Sequence, residues 1–434
     1  MTVEAVDEPA PGLVRARLGN GLRIIIRPQP SVAVASVAVS YGVGFRHEQP
    51  GQAGFAHLFE HLMTQGSRSL DKVEHKRLIE AAGGWYSGQT RHDYTGYVVT
   101  VPSGAVDLAL FCEADRMAGL RITQASLANQ VDVVEEEIRG AIWSRAYGGF
   151  PWFQADAALF ETWANGHDGY GDMDDLRRVT VDDAEAFFER WYGPDNAVVS
   201  VAGGVVIEEV LATAERYFAS IPARSRPERA AVDEPAPARP RWRTETDHIA
   251  TEPAIALGLR VPSPSADLPG YLRTRLAMAH LAQPATGPWW RTLVDGGAAH
   301  QVEAYLGSMS DSFGTAHPAS VAIGIRLRAG IAARDAVEAL DAATHRWLDE
   351  LDEEALAACV RSSTTTLRRG TAPCWVRAEI AATTEIVHGD AALVDRIPGI
   401  WAETEASSFR SLVDHVFLGP SRAIVDIQPV ARQA

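Results

Sequence analysis

The chain has 434 residues, more than one ordinary domain holds, and this length predicts two or three domains. A hydrophobic content of 46% is that of a globular protein with a core, and no run of 18 apolar residues predicts a membrane span. The net charge of −16 lacks the basic footprint that nucleic-acid binding requires, so the reading is no nucleic acid and no membrane.

The N-terminal stretch "MTVEAVDEPAPGLVRARLGNG" is acidic and has no apolar core, unlike a secretory or mitochondrial leader. Residues 13–42 read as a hairpin, with Asn20–Gly21 as a strong turn signal between apolar-rich runs. A helix is predicted around 54–66. A second runs from 69 and stops at Gly83–Gly84, a good C-terminal signal. "TRHDYTGYVVTVP" (90–102) reads as a strand, being rich in β-branched and aromatic residues. Helical patterns fill 104–147, and another precedes "YGPDNAVVSVAGG", where a turn leads into a buried strand.

At 222–241 the composition changes to "PARSRPERAAVDEPAPARPR", dense in proline, alanine and charge, which reads as a linker. After it "EPAIALGLRVP" is a predicted strand, and helices and strands alternate to "RAIVDIQPV". Each half ends in a strand after a proline-bearing turn, which suggests duplication. The expected architecture is α+β: domains at 1–221 and 242–434 joined by the linker 222–241. Cys112, Cys359 and Cys374 are far apart and form no C-x-x-C pair, so neither a disulfide framework nor a thiolate zinc site is expected. This usage fits a reducing compartment, and the cytoplasm is the expected location.

Within the first predicted helix stands "HLFEH", residues 57–61. Positions i, i+3 and i+4 share one helical face, so His57, Glu60 and His61 project together. Two imidazoles one turn apart suit a tetrahedral zinc ion. A glutamate beside them can touch a metal-bound water without being a ligand, and such a water is acidic enough for a carboxylate to take its proton. For any single histidine, packing in the core is the ordinary explanation. The triplet is different: a chance H-x-x-E-H in a chain of this size is expected on the order of a few hundredths of a time.

A catalytic zinc usually has three protein ligands and one open position. "NQVDVVEEEIRGAIW" (129–143) offers Glu135, Glu136 and Glu137, although a charge run is more often a solvated face. On a helical wheel Val131, Val134, Ile138 and Ile142 form the apolar face. Glu136 lies nearly opposite it, and Glu135 and Glu137 flank it equally, so periodicity does not choose between them.

These residues resemble the inverted-motif zinc peptidases that include pitrilysin, insulin-degrading enzyme and mitochondrial processing peptidase. In that family a ligand glutamate follows H-x-x-E-H at the spacing seen here, where 75 residues separate His61 from Glu137, so the resemblance selects Glu137. "LGNGLRIII", "VGFRHEQPGQAGFAHLFEHL", "CEADRM", "VVEEEIR" and "RWYGPDNAVVSVAG" resemble family segments across the N-terminal half. The C-terminal half is similar only in outline, chiefly at "LGPSRAIVDIQP".

The resemblance implies a zinc metalloendopeptidase of unfolded or short peptides, with one Zn2+ per chain held by His57, His61 and Glu137 and with Glu60 as general base. It also implies two similar domains, each an antiparallel-rich sheet covered by helices, forming a clamshell around a peptide chamber. The second domain would lack the metal motif. The family's substrate-binding Asn-Ala-x-Thr strand corresponds to "SGQT", so Ser87, Gly88 and Thr90 are the expected substrate contacts. A second acid often found seven residues before the ligand glutamate is replaced by Gln130. The family's Arg and Tyr in the second domain have only Arg291 as a match, with His300 or Tyr305 as substitutes for the tyrosine. Some family chains work only as pairs. The alternative expectation is therefore a homodimer or heterodimer, either a catalytic subunit inactive alone or a non-catalytic, peptide-binding scaffold. A metal-storage protein would not need the unligated Glu60.

Overall fold

Seven strands form the first sheet: β1 (Val3–Ala10), β2 (Leu13–Leu18), β3 (Arg23–Pro28), β4 (Val34–Tyr41), β5 (Trp85–Thr90), β6 (Thr95–Pro102) and β7 (Ala197–Gly203). The structure is a computed structural model that describes residues 3–224 and 232–430. β4 and β7 are rich in valine and alanine and almost wholly buried, as interior strands covered on both faces must be. The Asn20–Gly21 turn joins β2 to β3, with Gly21 at φ 88°, and the Asn20 side chain donates to the carbonyls of Phe218 and Ile221. The predicted hairpin ends there. β4 does not pair with β3, because β7 inserts between them, parallel to β3 and antiparallel to β4.

The order of the sheet is β1-β2-β3-β7-β4-β6-β5, which leaves β5 on an edge. The stretch read as a strand from 90 to 102 is β6 preceded by the turn at 91–94, and this turn joins it to β5, its antiparallel neighbour. The helices that accompany the sheet include α1 (Phe55–Leu62), α2 (Glu74–Ala81), α3 (Val106–Ala118) and α4 (Gln124–Ile138). After α2 the chain turns through Gly83 at φ 82°, the left-handed stop that the glycine pair predicts. The charges of "CEADRM" on α3 are not solvated: Glu113 and Arg116 are both buried and ion-paired, and Arg116 lies 4.0 Å over the Tyr97 ring.

The second sheet has β8 (Arg241–Asp247), β9 (Ala254–Arg260), β10 (Ala299–Leu306), β11 (Ser320–Leu327) and β12 (Arg422–Pro429), in the order β10-β11-β9-β12-β8. Strand for strand this reproduces β5-β6-β4-β7-β3, with the parallel pair β8–β12 matching β3–β7 and the other pairs antiparallel in both. The suggested duplication is thus visible as repeated topology. The architecture is mixed α+β.

The division at 1–221 and 242–434 needs correction. The chain forms two compact units, Met1–Glu135, Gly169–Ala230 and Arg368–Arg396 in one, and Glu136–Asp168, Ala231–Leu367 and Ile397–Ala434 in the other. The reason is sheet coverage. In the first unit the helix Cys374–His388 packs across β4, β7 and β6. In the second, helix α5 (Trp152–Leu159) packs on β9, β12 and β11, with the Ala155 carbonyl 3.0 Å from where a Cβ on Gly258 would stand. Each half lends the helix that buries a sheet face in the other unit.

Of the predicted linker, residues 225–231 lie outside the described residues. The remainder is not all unburied: Glu234 is only 7% exposed, and its carboxylate accepts from Glu161 N, Thr162 N and Asn165 Nδ2 at 2.7, 3.2 and 2.7 Å. A buried carboxylate with several donors anchors a segment that its composition alone makes look free. Among the described residues no helix is long and apolar enough to cross a membrane.

Candidate metal centre

Helix α1 begins at Gly54, whose φ of 90° suits glycine and whose missing side chain matters. A Cβ there would stand 2.7 Å from Gly171 Cα and 2.9 Å from the Tyr170 carbonyl oxygen. The close approach brings the Tyr170 carbonyl against the helix, where it meets His57 Nδ1 at 3.3 Å. Donation from Nδ1–H to that carbonyl fixes the ring and leaves Nε2 as the nitrogen able to take a metal. Asp175 accepts from Ala53 N at 3.1 Å and ties the same segment to the start of the helix.

Glu48 completes the anchoring. It is 2% exposed, and its two oxygens accept from Gly54 N at 3.1 Å and Ala56 N at 2.8 Å. A carboxylate on the first free N–H groups of a helix satisfies donors that have no intrahelical partner and complements the helix dipole. The sequence reading passed over Glu48. Its signal was an acid shortly before the helix start, but no fixed spacing marks a cap that reaches across a loop.

His57 and His61 lie one turn apart, with ring centroids 5.0 Å apart and an interplanar angle of 82°. Helix α4 brings Glu137 to them: one ligand atom from each of His57, His61 and Glu137 lies within 4.8 Å of the others. Two imidazoles and a carboxylate are the donor set of a catalytic zinc site, and the three atoms are close enough to share one ion. The choice left open between the flanking glutamates has a physical basis here. Glu135 is held by Arg177, Nε–Oε1 2.6 Å and Nη2–Oε2 3.1 Å. Glu136 is exposed and pairs with Arg139 at 3.4 Å. Gln130, where the family often has an acid, is buried and donates to Asn129 Oδ1 at 3.0 Å.

Glu60 stands apart from the three ligands. Its Oε2 accepts from Thr90 Oγ1 at 2.8 Å, and a Cβ on Gly88 would lie 2.9 Å from its Oε1. Both residues belong to β5, so the edge strand holds the carboxylate with one side chain and makes room for it with the absence of another. Strand alternation places Tyr86, Gly88 and Thr90 on this face. Trp85 and Gln89 point the other way: Trp85 meets Trp375 with ring centroids 5.9 Å apart, and Gln89 hydrogen-bonds Glu379. Ser87 shares their face and is exposed. The structure thus brings Gly88 and Thr90 to Glu60 and does not bring Ser87 there. Arg291, in the second unit, is exposed and makes no side-chain hydrogen bond or ion pair among the described residues. His300 pairs with Glu252 at 2.9 Å, and Tyr305 packs on Trp152 with centroids 4.9 Å apart.

Comparison with known proteins gives the family of the chain. The family model described as "Insulinase (Peptidase family M16)" matches residues 23–146, which include His57, Glu60, His61 and Glu137. A second, "Peptidase M16 inactive domain", matches 178–362. The chain is 32% identical over 251 residues to an uncharacterized zinc protease of Mycobacterium leprae, 57% of this chain and 53% of that one. It is 28% identical over 205 residues to zinc protease PqqE of Helicobacter pylori, 47% of this chain and 46% of that one. The matches thus span about half the length of these curated relatives. The crystal structure of a protease from Helicobacter pylori is similar with a TM-score of 0.85 at 20% identity, over 99% of this chain and 100% of that chain. Pitrilysin gives 0.74 at 16% identity, over 99% of this chain and 46% of that chain. At these identities the structural likeness shows the fold.

Proposed function

The chain belongs to the pitrilysin-like M16 peptidase family as a small bacterial-type member, and from that premise we propose that it is a zinc-dependent endopeptidase of unfolded or short peptides. The observation that carries the proposal is the position of Glu60, on the helical face of His57 and His61, held by Thr90 and outside the ligand set.

A zinc ion held by His57, His61 and Glu137 would supply a Lewis acid that polarises the scissile carbonyl and lowers the pKa of water. Glu60 takes a proton from the attacking water as its oxygen adds to the carbonyl carbon. It then delivers the proton to the amide nitrogen as the C–N bond breaks. Thr90 keeps the carboxylate aimed through both transfers. The edge of β5 accepts the peptide as an added strand, so main-chain hydrogen bonds hold a substrate of varied sequence while folded proteins are excluded.

The test is Glu60→Gln, which keeps shape and loses the base. With zinc content unchanged, kcat for a peptide digest is expected to fall by about 10²–10⁴-fold. Normal turnover would end the catalytic assignment, and lost zinc would make Glu60 a ligand or structural residue.

A second reading is favoured by the second unit, where no tyrosine stands at the place the family uses and residues 178–362 match the model named for an inactive domain. In it the chain is the zinc-bearing subunit of a homodimer or heterodimer and is inactive alone. Zinc without cleavage by the isolated chain, and cleavage on adding a homologous chain, would favour it. A cytoplasmic location belongs to the same proposal, motivated by three cysteines without a pairing pattern, and cell fractionation tests it.

A further inference from the structure

Trp85 and Trp375 are 41% and 39% exposed, and their rings meet edge to face, with centroids 5.9 Å apart at 76°. Apolar side chains scattered singly over a surface are ordinary, but two adjoining exposed indoles are not. They come from distant parts of the chain. Trp85 opens β5, and Trp375 stands in the first turn of the helix Cys374–His388, which packs across β4, β7 and β6. One turn further along that helix Glu379 hydrogen-bonds Gln89, so the helix meets β5 near both of its ends.

β5 is the end strand of its sheet, paired with β6 on one side only. Its residues alternate between two faces. Gly88 and Thr90 face Glu60, whereas Trp85, Ser87 and Gln89 share the face that meets the helix Cys374–His388. A peptide laid along the free edge carries the same alternation. Its side chains on the second face stand beside Trp85, Ser87 and Gln89, with Cβ atoms about 5 Å from those directly opposite. Trp85 is three positions from Gly88, the residue under Glu60, which is about 10 Å along a strand. Arg377, on the same helical turn as Trp375, is engaged elsewhere: it donates to the Thr371 carbonyl at 3.0 Å and to Gln29 Oε1 at 3.3 Å. The surface that the two indoles offer is therefore apolar and aromatic.

We infer that Trp85 and Trp375 form a specificity subsite for one aromatic side chain of the substrate, about three residues from the bond that is cut. The inference rests on the reading of β5 as the substrate edge. An aromatic ring laid on the indole pair covers apolar surface on both partners and gains the offset or edge-to-face contacts that aromatic rings favour. Main-chain hydrogen bonds hold any peptide on the edge without fixing its register, because a slip by two residues restores the same pattern. A single side chain that fits the indoles selects one register, and so selects which bond stands beside Glu60. Ser87, exposed between Trp85 and Gln89, lines the same face and meets substrate side chains, not the base.

The experiment uses the full chain and N-terminally labelled peptides of alternating threonine and glutamine, with and without one Phe. In the Glu60→Gln chain, fluorescence polarisation should show the Phe peptide binding about ten- to a hundredfold tighter than the Phe-free one. Trp375→Ala and Trp85→Thr, each added to that chain, should remove most of the preference, and Trp375→Phe should keep much of it. If Trp375→Ala folds poorly, Trp85→Thr, which suits a strand, gives the same readout. With the cleaving wild-type chain, mass spectrometry of the products should show the cut moving with the Phe. Shifting the Phe by two positions shifts the cut by two, and the side of the Phe on which the cut falls reports the polarity of the added strand. Equal binding of the two peptides, binding of neither, a preference that survives both substitutions, or a cut that stays in place while the Phe moves would overturn the inference. A wild-type chain that cuts no peptide would end the zinc-peptidase reading instead, and the binding comparison would still decide the subsite.

Discussion

Thr90 Oγ1 stands 2.8 Å from Glu60 Oε2, so the last residue of the edge strand positions the carboxylate that the metal helix presents. A substrate strand added to β5 therefore joins the element that aims the base. Thr90→Val keeps the shape and deletes the donor. A hydrogen bond to a charged group contributes about 1.5–3 kcal/mol, so kcat should fall roughly ten- to a hundredfold with zinc content unchanged. Thr90→Ser should restore most of it. A Thr90→Val chain with wild-type kcat would show that the contact is incidental.

Gly88 faces the same carboxylate, and a Cβ there would stand 2.9 Å from Oε1 and 3.1 Å from Cγ of Glu60. Gly88→Val has to displace Glu60 while suiting a strand well. Turnover is expected to fall by about 10² or more, as for other small misplacements of a catalytic group, while Tm and bound zinc stay near wild type. Metal analysis beside a peptide assay checks this. A chain that loses zinc with its turnover would instead point to a shift of α1.

Glu135 and Glu137 are two positions apart but differ in partner. Glu137→Ala removes a ligand atom and should lower bound zinc from one per chain toward none after dialysis. Glu135→Ala breaks the pair with Arg177 and should retain the metal. Arg177 is largely solvent-exposed, and such pairs contribute little. Retention of zinc by Glu137→Ala would require a different third ligand.

Glu48→Ala leaves the N–H groups of Gly54 and Ala56 without their acceptor in a buried setting. The expected cost is about 1–3 kcal/mol of stability. Because the lost cap lies beside His57, zinc affinity should fall as well. Denaturant unfolding of the zinc-free chain separates the two effects, and an unchanged midpoint would refute the capping role.

Burial alone would raise the Glu234 carboxyl, but the Asn165 side chain, the Glu161 N–H and Thr162 outweigh it and hold the group below the usual glutamate value. Its folded pKa is thus depressed. The stabilisation is present above the unfolded pKa and is lost as pH falls through the folded one. The difference in Tm between wild type and Glu234→Gln should be full near neutrality and shrink below about pH 4.5. A constant gap from neutral to acid pH would show that the charge of Glu234 has no part in anchoring residues 232–240.

Much of this was local and therefore legible. H-x-x-E-H sits on one helical turn, and its geometry follows from 3.6 residues per turn whatever the helix packs on. Asn20–Gly21 and Gly83–Gly84 mark a turn and a stop because glycine alone accepts the required φ without cost. The repeat of Pro-bearing turn and terminal strand pointed to the duplication that the two sheets share.

What the sequence by itself determined is the set of chemical groups: two imidazoles and a carboxylate on one helical face, and three glutamates on a second helix. Only the tertiary structure decided how they are used. Glu135 and Glu137 are equivalent on a helical wheel, and Arg177, 42 residues from Glu135, separates them. Ser87 and Thr90 are equivalent as polar strand residues, and the position of α1 against one face of β5 selects Thr90. The domain boundary moved for the same reason. A sheet face is buried by whichever apolar helix reaches it, and that depends on contacts between residues distant in sequence, which no local periodicity encodes.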